Sequence, residues 1–340
     1  MKINYIYLDI TDKCNLSCIY CCKRKEHSKT FGDIKKKVLN NILNFGICNG
    51  ATSITLSGGE PCLHSKFDDI LEKVKKLEYE SLRVMTNGHL FKMQNNFSNI
   101  KLIDEICFSI DSADIIKNEI TRKGFENGSL EEIRKFNEEY SDILLTIKST
   151  ITKHNMGNIE TLLQFAKKYN FSKVTFGYCL PLGQAKDDRT FNEVACTPVE
   201  MLIVQKGIEH LKLKYNDIEI IEPCIVFGCK LLMNNDGFDL HIDEQGNIFP
   251  CDGMNDDEYI IANIQDDNLE QTMISNLRKI QTTIESKNEV CKKCTISGNC
   301  EGVCLLYGNP SNEYDGDKFC AFRRIKVFSN KMIKDVVLNE

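Results

Sequence analysis

Three closely spaced cysteines, Cys14, Cys18 and Cys21 in the string CNLSCIYC, are the residues of this chain best suited to chemistry. Thiolates bind zinc and iron–sulfur clusters, and such sites usually take four protein ligands when they are closed. Three cysteines would leave one metal position open to a small molecule, as in a reactive site. The alternative is structural, because positions i, i+4 and i+7 share a helix face and cysteine is often buried.

The residues around the cysteines favour the metal site. The segment 4–11, NYIYLDIT, is rich in β-branched and aromatic side chains, which indicates a strand. The polar residues Asp12, Lys13 and Asn15 follow it and are typical of a loop. We therefore expect the three cysteines on a loop at the end of the first strand.

The first half of the chain alternates strand-like and helix-like segments. Strands are predicted at 3–10, 53–58, 81–88, 105–111, 142–152 and 173–180. Helices are predicted over 33–46 and 66–78, after a Ser129–Glu132 capping box, and after Asn158 as a cap. These βα repeats predict an α/β fold, a partial (βα)6 barrel resembling a TIM barrel, with its chemistry at the carboxyl ends of the strands.

After Pro181 the alternation stops. A polar loop (183–197) and a helix (198–215) are predicted, followed by a region rich in Cys, Gly, Asn and Asp with little helical periodicity. This region contains one predicted hairpin, 239–251, turning near Gln245–Gly246. The predicted domains are a barrel at 1–190, a linker and bridging helix at 191–222, a small C-terminal domain at 223–330 and a tail at 331–340.

Composition restricts the class of protein. A net charge of −6 over 340 residues gives no electrostatic case for binding nucleic acid or an anionic membrane. No segment has the length of a membrane span and no signal peptide is visible, so we predict a cytoplasmic protein. Because a reducing cytosol disfavours disulfides, the clustered members of its 17 cysteines should bind metal or do redox chemistry. Most of the scattered ones should be small core residues: Cys22, Cys48, Cys62, Cys107, Cys179 and Cys196.

A second motif, SGGEP at 57–61, ends the second predicted strand. Paired glycines let a ligand approach the backbone and offer it N–H groups, while Glu60 could accept a hydrogen bond from an ammonium group. Together they could hold an amino acid by both charged ends. The alternative is a simple turn, but the motif should lie beside the strand that leads into the cysteines.

The CxxxCxxC string with Tyr20 before its third cysteine, together with GGEP, resembles the radical S-adenosylmethionine (SAM) enzymes. That resemblance implies a partial (βα)6 barrel and a [4Fe–4S] cluster on Cys14, Cys18 and Cys21. It also implies SAM on the open iron, cleaved by one electron to a 5′-deoxyadenosyl radical that abstracts hydrogen from a substrate. The protein would position these cofactors and exclude water.

The resemblance also implies SAM contacts beyond the cysteines. Arg122 or Lys148 could pair with the SAM carboxylate, and the alternative for both is a structural role. The other implied contacts are Tyr20, Gly58, Gly59, Glu60, Asn87 within 86–88, Ser109, and Leu182 within the segment 181–185.

The C-terminal cysteines form a second pattern. A four-cysteine zinc site within 291–304 is one interpretation, but eight cysteines suit two closed clusters better. Their spacing resembles the SPASM extension of radical SAM enzymes that modify peptides and proteins. By that resemblance, one auxiliary [4Fe–4S] cluster is held by Cys224, Cys229, Cys251 and Cys304. The other is held by Cys291, Cys294, Cys300 and Cys320. Both would serve electron transfer and folding.

Asp252, directly after Cys251, is the acid that we single out. In anaerobic sulfatase-maturing enzymes, which share the SPASM extension, an Asp at this point acts as a general base. A carboxylate between a cluster and a substrate pocket could take a proton. The alternative is a turn residue that caps backbone N–H groups. We interpret His241 as structural.

These features predict a radical SAM/SPASM peptide maturase that oxidises a carbon of a ribosomally made peptide and forms a thioether or carbon–carbon crosslink. The alternative is formation of formylglycine from Cys or Ser in a sulfatase, and a more distant one is a non-catalytic multi-cluster electron carrier. A ferredoxin or flavodoxin would supply electrons. Because the chain starts at the first strand, we expect leader recognition by the barrel, the SPASM region or a separate protein.

Overall fold

The computed structural model describes residues 1–23, 32–89, 96–125, 129–223, 237–297, 300 and 318–337. The strands are β1 (Ile3–Thr11), β2 (Ser17–Cys18), β3 (Ser53–Gly58), β4 (Ser81–Thr86), β5 (Glu105–Ser109), β6 (Arg122–Lys123), β7 (Leu144–Ile151), β8 (Lys173–Tyr178), β9 (Glu219–Ile221), β10 (Phe238–Ile242), β11 (Asn247–Phe249) and β12 (Ala262–Asn263). The helices are α1 (Lys36–Cys48), α2 (Phe67–Lys76), α3 (Ile115–Thr121), α4 (Ser129–Glu139), α5 (Ile159–Lys168), α6 (Asp188–Val194), α7 (Pro198–Lys214), α8 (Leu269–Lys292) and α9 (Lys318–Val337).

Ten of these strands form one sheet in the order β12-β11-β10-β1-β3-β4-β5-β7-β8-β9. The six predicted strands, β1, β3, β4, β5, β7 and β8, lie side by side in chain order and pair in parallel. β10 pairs with β1, and β9 pairs with β8, also in parallel. β10 thus covers the outer edge of β1, and β9 covers that of β8. Because β1 and β8 do not pair with each other, the sheet does not close into a complete barrel. The predicted α/β fold with a partial barrel is confirmed.

The two faces of the sheet differ in polarity. On β1, Ile6 and Leu8 are fully buried on the face that carries the helices. The alternating residues point to the other face, where the Tyr5 hydroxyl donates to Thr55. The Tyr7 hydroxyl lies 2.7 Å from Ser57 Oγ on the same face. The concave side of the sheet is therefore lined by polar groups that bond across neighbouring strands.

The predicted hairpin is confirmed. β10 and β11 pair antiparallel through His241↔Phe249 and Ile242↔Ile248. Gly246 in the turn has φ +86, a conformation that glycine adopts without strain. Because β10 also pairs with β1, this hairpin extends the barrel's own sheet.

The prediction of little helix after the hairpin was wrong. α8 spans 24 residues and α9 spans 20. On α8 the buried residues Met273, Leu277 and Ile284 recur at helical spacing, but they form a narrow stripe among mostly polar residues. α6 likewise lies within the segment 183–197 that was predicted as loop.

One local prediction needs correction, and another holds for most of its residues. Asn158 occupies the N-cap position of α5, but its side chain makes no capping hydrogen bond. Among the scattered cysteines, Cys48 is exposed at the end of α1 and Cys22 is half-buried. Four are buried as predicted: Cys62, Cys107, Cys179 and Cys196.

Candidate metal and cofactor site

The three N-terminal cysteines lie on a loop directly after β1, as predicted. The described loop residues 12–23 contain no helix, which excludes the helical alternative for this part of the chain. The loop is pinned from one side because β2 pairs antiparallel with β6, bringing Cys18 opposite Arg122. Ile19 N–H also donates to the Thr121 carbonyl at 3.0 Å. The cysteine positions are therefore set by contacts about a hundred residues away along the chain.

The cysteine side chains converge. Burial raises the pKa of the Cys14 thiol to about 12, and the nearby groups Glu60, Cys18 and Cys21 add to that shift. Among the described residues, no group of three or more His, Cys, Asp or Glu side chains is arranged around a single metal ion. A four-iron cluster needs no such common point, because each cysteine binds a different iron. Thiolates are the ligands that such a cluster takes.

The paired glycines bring the end of β3 against the start of the cysteine loop. A Cβ added at Gly58 would lie 2.1 Å from the Thr11 carbonyl oxygen, and one at Gly59 would lie 2.2 Å from that of Lys13. Gly59 N–H donates to the Thr11 carbonyl at 2.8 Å. This N–H, predicted to face a ligand, is therefore used within the protein.

Glu60 is also engaged internally. Its side chain is fully buried and accepts hydrogen bonds from Thr86 Oγ1 at 2.7 Å and from Asn87 N–H at 2.8 Å. Burial raises the pKa of this carboxyl group. The Asn87 amide then donates to Asn15 Oδ1 at 2.8 Å and lies 3.9 Å from Cys14 Sγ. The ends of β3 and β4 thus support the cysteine loop through hydrogen bonds.

We expect Gly59→Ala to displace the cysteine loop, because backbone atoms of Lys13 occupy the space that the new Cβ would need. Iron content after anaerobic reconstitution should fall by about tenfold or more, as happens when groups that orient metal ligands are changed. Gly207→Ala on α7 is the matched control, since its Cβ would meet nothing within 4 Å. Full iron loading of Gly59→Ala would contradict this packing argument.

Arg122 lies beneath the cysteine loop and is bonded to an acid that the sequence analysis did not single out. Its guanidinium contacts Asp111 at 3.1 and 3.2 Å, and both side chains are buried. Its third nitrogen lies 3.9 Å from Cys18 Sγ. The Tyr20 hydroxyl donates to the same Asp111 carboxylate. The position of Asp111, two residues after β5, could have suggested a site residue.

Ser109 and Lys148 sit opposite each other on β5 and β7. Lys148 makes no ion pair among the described residues. Burial raises the pKa of Cys22 to about 11, and the ammonium groups of Lys23 and Lys148 oppose that shift. Lys148 therefore lies near the end of the cysteine loop, and within the described part of the chain its ammonium group has no carboxylate partner.

The segment after β8 closes the other side of the loop. Gln184 N–H donates to the Cys21 carbonyl at 3.0 Å. A Cβ on Gly183 would lie 2.2 Å from the same carbonyl oxygen. Leu182, predicted to contact SAM, is buried directly before Gly183, the residue that packs against the Cys21 carbonyl oxygen. The structure thus brings the predicted segment 181–185 to the cysteine loop.

Four C-terminal cysteines gather at a second location. Burial raises the pKa of the Cys291 thiol to about 11, and the neighbouring groups of Cys320, Cys300 and Cys294 raise it further. Arg324 from α9 hydrogen-bonds Cys294 and helps to lower the pKa of that thiol. The four residues predicted to hold one auxiliary cluster are therefore close together. Cys224, Cys229 and Cys304 lie outside the described residues, and Cys251 lies just after β11.

Asp252 is exposed. Burial raises the pKa of Tyr5 to about 12, and the Asp252 carboxylate adds to this shift. The same carboxylate also helps to raise the pKa values of Tyr7 and Lys23. The Asp252 carboxylate is thus near enough to Tyr5, Tyr7 and Lys23 to affect them electrostatically.

Comparison with known proteins identifies two domains. The radical SAM superfamily model matches residues 8–190. The SPASM model, an iron–sulfur cluster-binding domain, matches residues 234–295.

Two relatives illustrate the range of sequence similarity. A probable GTP 3′,8-cyclase of Methanococcus maripaludis is 30% identical over 149 residues, 43% of this chain. That alignment spans 48% of the relative, so the chain covers about half of its length. The subtilosin biosynthesis protein AlbA of Bacillus subtilis is 22% identical over 339 residues, covering 97% of this chain and 72% of AlbA.

Two solved structures share the fold. Native anSMEcpe with bound AdoMet has a TM-score of 0.71 at 18% identity, covering 98% of this chain and 99% of that chain. SuiB of Streptococcus suis bound to its precursor peptide SuiA has a TM-score of 0.70 at 17% identity, covering 94% and 76%. Separately, none of the described helices combines the length and apolar character that crossing a membrane requires.

Proposed function

Because this chain belongs to the radical SAM superfamily and carries a SPASM domain, we propose that it oxidises a carbon centre of a ribosomally made peptide, forming a thioether or carbon–carbon crosslink. The observation that carries the proposal is the cysteine loop after β1, enclosed by the ends of β3 and β4 and by the segment after β8. In this proposal the loop holds a cluster with one open metal position beside the polar face of the sheet.

We propose that Cys14, Cys18 and Cys21 hold a [4Fe–4S] cluster and that SAM binds beside it. The cluster and SAM, when bound, supply an electron and a 5′-deoxyadenosyl radical. Gly58, Gly59 and Glu60 set the position of the loop, as their contacts with Thr11, Lys13 and β4 indicate. The proposed lining of the SAM pocket is Tyr20, Asn87, Ser109 and Leu182.

Of the two cations predicted for the SAM carboxylate, we favour Lys148. Arg122 already makes two contacts with Asp111, whereas Lys148 has no ion-pair partner among the described residues. A cation with its charge uncommitted can pair with an incoming carboxylate without breaking a native contact. Arg122 then acts on the cysteine loop and not directly on SAM.

We further propose two auxiliary [4Fe–4S] clusters. The convergence of Cys291, Cys294, Cys300 and Cys320 supports the second of them. The first would use Cys251 together with Cys224, Cys229 and Cys304. In a net oxidation these clusters would carry away the second electron, and a ferredoxin or flavodoxin would supply the first. Iron and sulfide analysis of the anaerobically reconstituted protein tests the number of clusters.

A peptide substrate is supported by the extent of two similarities. AlbA, a bacteriocin biosynthesis protein, aligns along 97% of this chain. SuiB, which was solved with a precursor peptide, shares the fold over 94% of it. The similarity to the GTP cyclase covers only 43%. The evidence that extends over the whole chain thus favours a peptide.

Co-expression with a small open reading frame encoded beside its gene, read by mass spectrometry, tests the reaction. Loss of paired hydrogens from the peptide would support crosslinking. An aldehyde in a sulfatase peptide would support the alternative, formylglycine formation, which the position of Asp252 favours. Conversion of GTP by the reconstituted protein, with no change in any peptide, would overturn both.

We expect Asp252→Asn to lower formation of modified peptide by about 10² to 10⁴-fold, the usual contribution of a general base. Reductive cleavage of SAM should stay near the wild-type rate, because Asp252 is not part of the cysteine loop. Liquid chromatography of 5′-deoxyadenosine and peptide from the same reaction separates the two effects. Asp257→Asn, another exposed acid of this segment, is the control. Equal peptide yields from both variants would exclude Asp252 as the base.

A further inference from the structure

A charged cluster of two buried residues, Asp9 and His241, and the half-buried Lys23 joins the far end of the cysteine loop to the hairpin β10–β11. The Lys23 ammonium lies 2.7 Å from Asp9 Oδ2 on β1 and 2.7 Å from His241 Nε2 on β10. His241 Nε2 is also 2.7 Å from Asp9 Oδ2. Lys23 is two residues from Cys21, whereas His241 is more than 200 residues away along the chain.

The surroundings of this cluster make it unlike a surface ion pair. Asp9 is 4% exposed and His241 is 1% exposed. The Tyr7 ring lies below the ammonium, with Nζ 5.1 Å from its centroid, and Phe249 stacks on His241. Burial opposes the charged form of Asp9, yet Lys23 and His241 lower the pKa of this carboxyl group to about 2. The Asp9 carboxylate therefore stays charged and paired with the Lys23 ammonium group in spite of its burial.

Asp9 and His241 have few other partners. Asp9 Oδ1 and His241 Nδ1 are buried and make no hydrogen bond within the described part of the chain. Among the described residues, the buried Asp9 carboxylate is therefore stabilised only through Oδ2. The main contact there is the ion pair with the Lys23 ammonium. Removing the ammonium would leave a buried carboxylate without a cation, which is costly.

A second contact ties the same end of the loop to the C-terminal region. The Asn255 amide donates to the Cys22 carbonyl at 2.9 Å. Asn255 follows Cys251 and Asp252 in the segment after β11 and is itself buried. Lys186, in the segment that contacts Cys21, pairs with Asp256 at 2.8 Å. The hairpin and the segment after it therefore hold the Cys21–Lys23 end of the loop from one side.

We propose that Lys23 is a positioning residue that, through Asp9 and His241, fastens the Cys21 end of the cysteine loop to the hairpin β10–β11. The inference rests on the proposed function, in which Cys21 is a cluster ligand. The hairpin leads directly into Cys251, so the auxiliary-cluster region helps to fix the geometry of the SAM-binding cluster. The two cofactor regions are joined mechanically as well as by electron transfer.

The experiment uses anaerobically purified holoenzyme and SAM labelled with ¹⁵N at its amino group. Electron–nuclear double resonance of the reduced protein then reports only the cluster to which that amino group binds. His241→Phe keeps the Lys23–Asp9 ion pair and the stack on Phe249 but removes the side-chain contacts of Lys23 and Asp9 with the hairpin. Lys23→Met combined with Asp9→Asn removes both members of the ion pair, so neither is left buried without its partner.

For both variants we expect an altered ¹⁵N coupling and reductive SAM cleavage that is about tenfold slower, the usual effect of losing a group that orients a metal ligand. Circular dichroism should match the wild type. Lys13→Met is the matched control, because Lys13 is on the same loop but pairs with Asp33 with its side chain 49% exposed. It should leave coupling and rate unchanged.

The other outcomes separate the role of Lys23 from the proposed function. Wild-type coupling and rate in His241→Phe and in the double variant would overturn the role of Lys23 while leaving the proposed function intact. A wild-type protein that shows no ¹⁵N coupling would overturn the proposed function, and this inference with it. If the double variant fails to fold, His241→Phe alone decides, since it leaves the ion pair in place.

Discussion

Cys18→Ala should abolish reductive SAM cleavage, with a loss of at least about 10³-fold, roughly 4 kcal/mol in the barrier. Cys18 is the central cysteine of the loop, and β2 holds it opposite Arg122. Without its thiolate, one iron of the proposed cluster loses its protein ligand and the cluster is not retained. The measurement is 5′-deoxyadenosine released after dithionite reduction, together with iron content.

Cys48→Ala is the matched control for this experiment. Cys48 is an exposed thiol at the end of α1, outside both cysteine groups. We expect its replacement to leave SAM cleavage and iron content unchanged. A Cys18→Ala protein that cleaved SAM at the wild-type rate would refute the cluster assignment and the proposed enzyme activity with it.

Arg122→Met should lower the free energy of unfolding by about 3–5 kcal/mol, the usual cost of breaking a buried ion pair from one side. The side chain of Asp111 is fully buried and that of Arg122 is 8% exposed, so solvent does not screen the charge that is left. Thr121 and Tyr20 donate to the same carboxylate but carry no positive charge. Urea unfolding under anaerobic conditions, followed by circular dichroism, measures the loss.

Two further variants isolate the charge effect. Arg122→Met combined with Asp111→Asn removes both charges and should recover part of the loss, because no buried charge is left unpaired. Arg189→Met should change stability by less than about 0.5 kcal/mol, since Arg189 is 88% exposed and pairs with Glu193 at the surface. If Arg122→Met and the double variant lost the same free energy of unfolding, the cause would be lost packing and not the unpaired charge.

The strands of the barrel could be predicted because their signal is local. Alternating and continuous apolar runs placed β3 at 53–58 and β7 within 142–152, and the structure has them at Ser53–Gly58 and Leu144–Ile151. The long helix α8 was not predicted, although its buried residues Met273, Leu277 and Ile284 recur at helical spacing. The apolar stripe is narrow, and the cysteine- and glycine-rich segments around it do not continue it.

The partners of the polar site residues could not be predicted either. Glu60 was a candidate for binding an ammonium group, and Arg122 for binding a carboxylate. In the structure Glu60 accepts from Thr86 and Asn87, and Arg122 pairs with Asp111. Residue type shows that a side chain can bind an ion, but only the packing around it shows whether that capacity is already used.

The sequence by itself determined the kind of chemistry and the order of the strands. Cys14, Cys18 and Cys21 carry that information in their types and spacing, which are covalent and local, and the loop after β1 needs no distant partner to be recognised. Only the tertiary structure decided how the loop is held. Lys23, Asp9 and His241 meet because β10 pairs with β1, a register between strands more than 200 residues apart that no local pattern encodes.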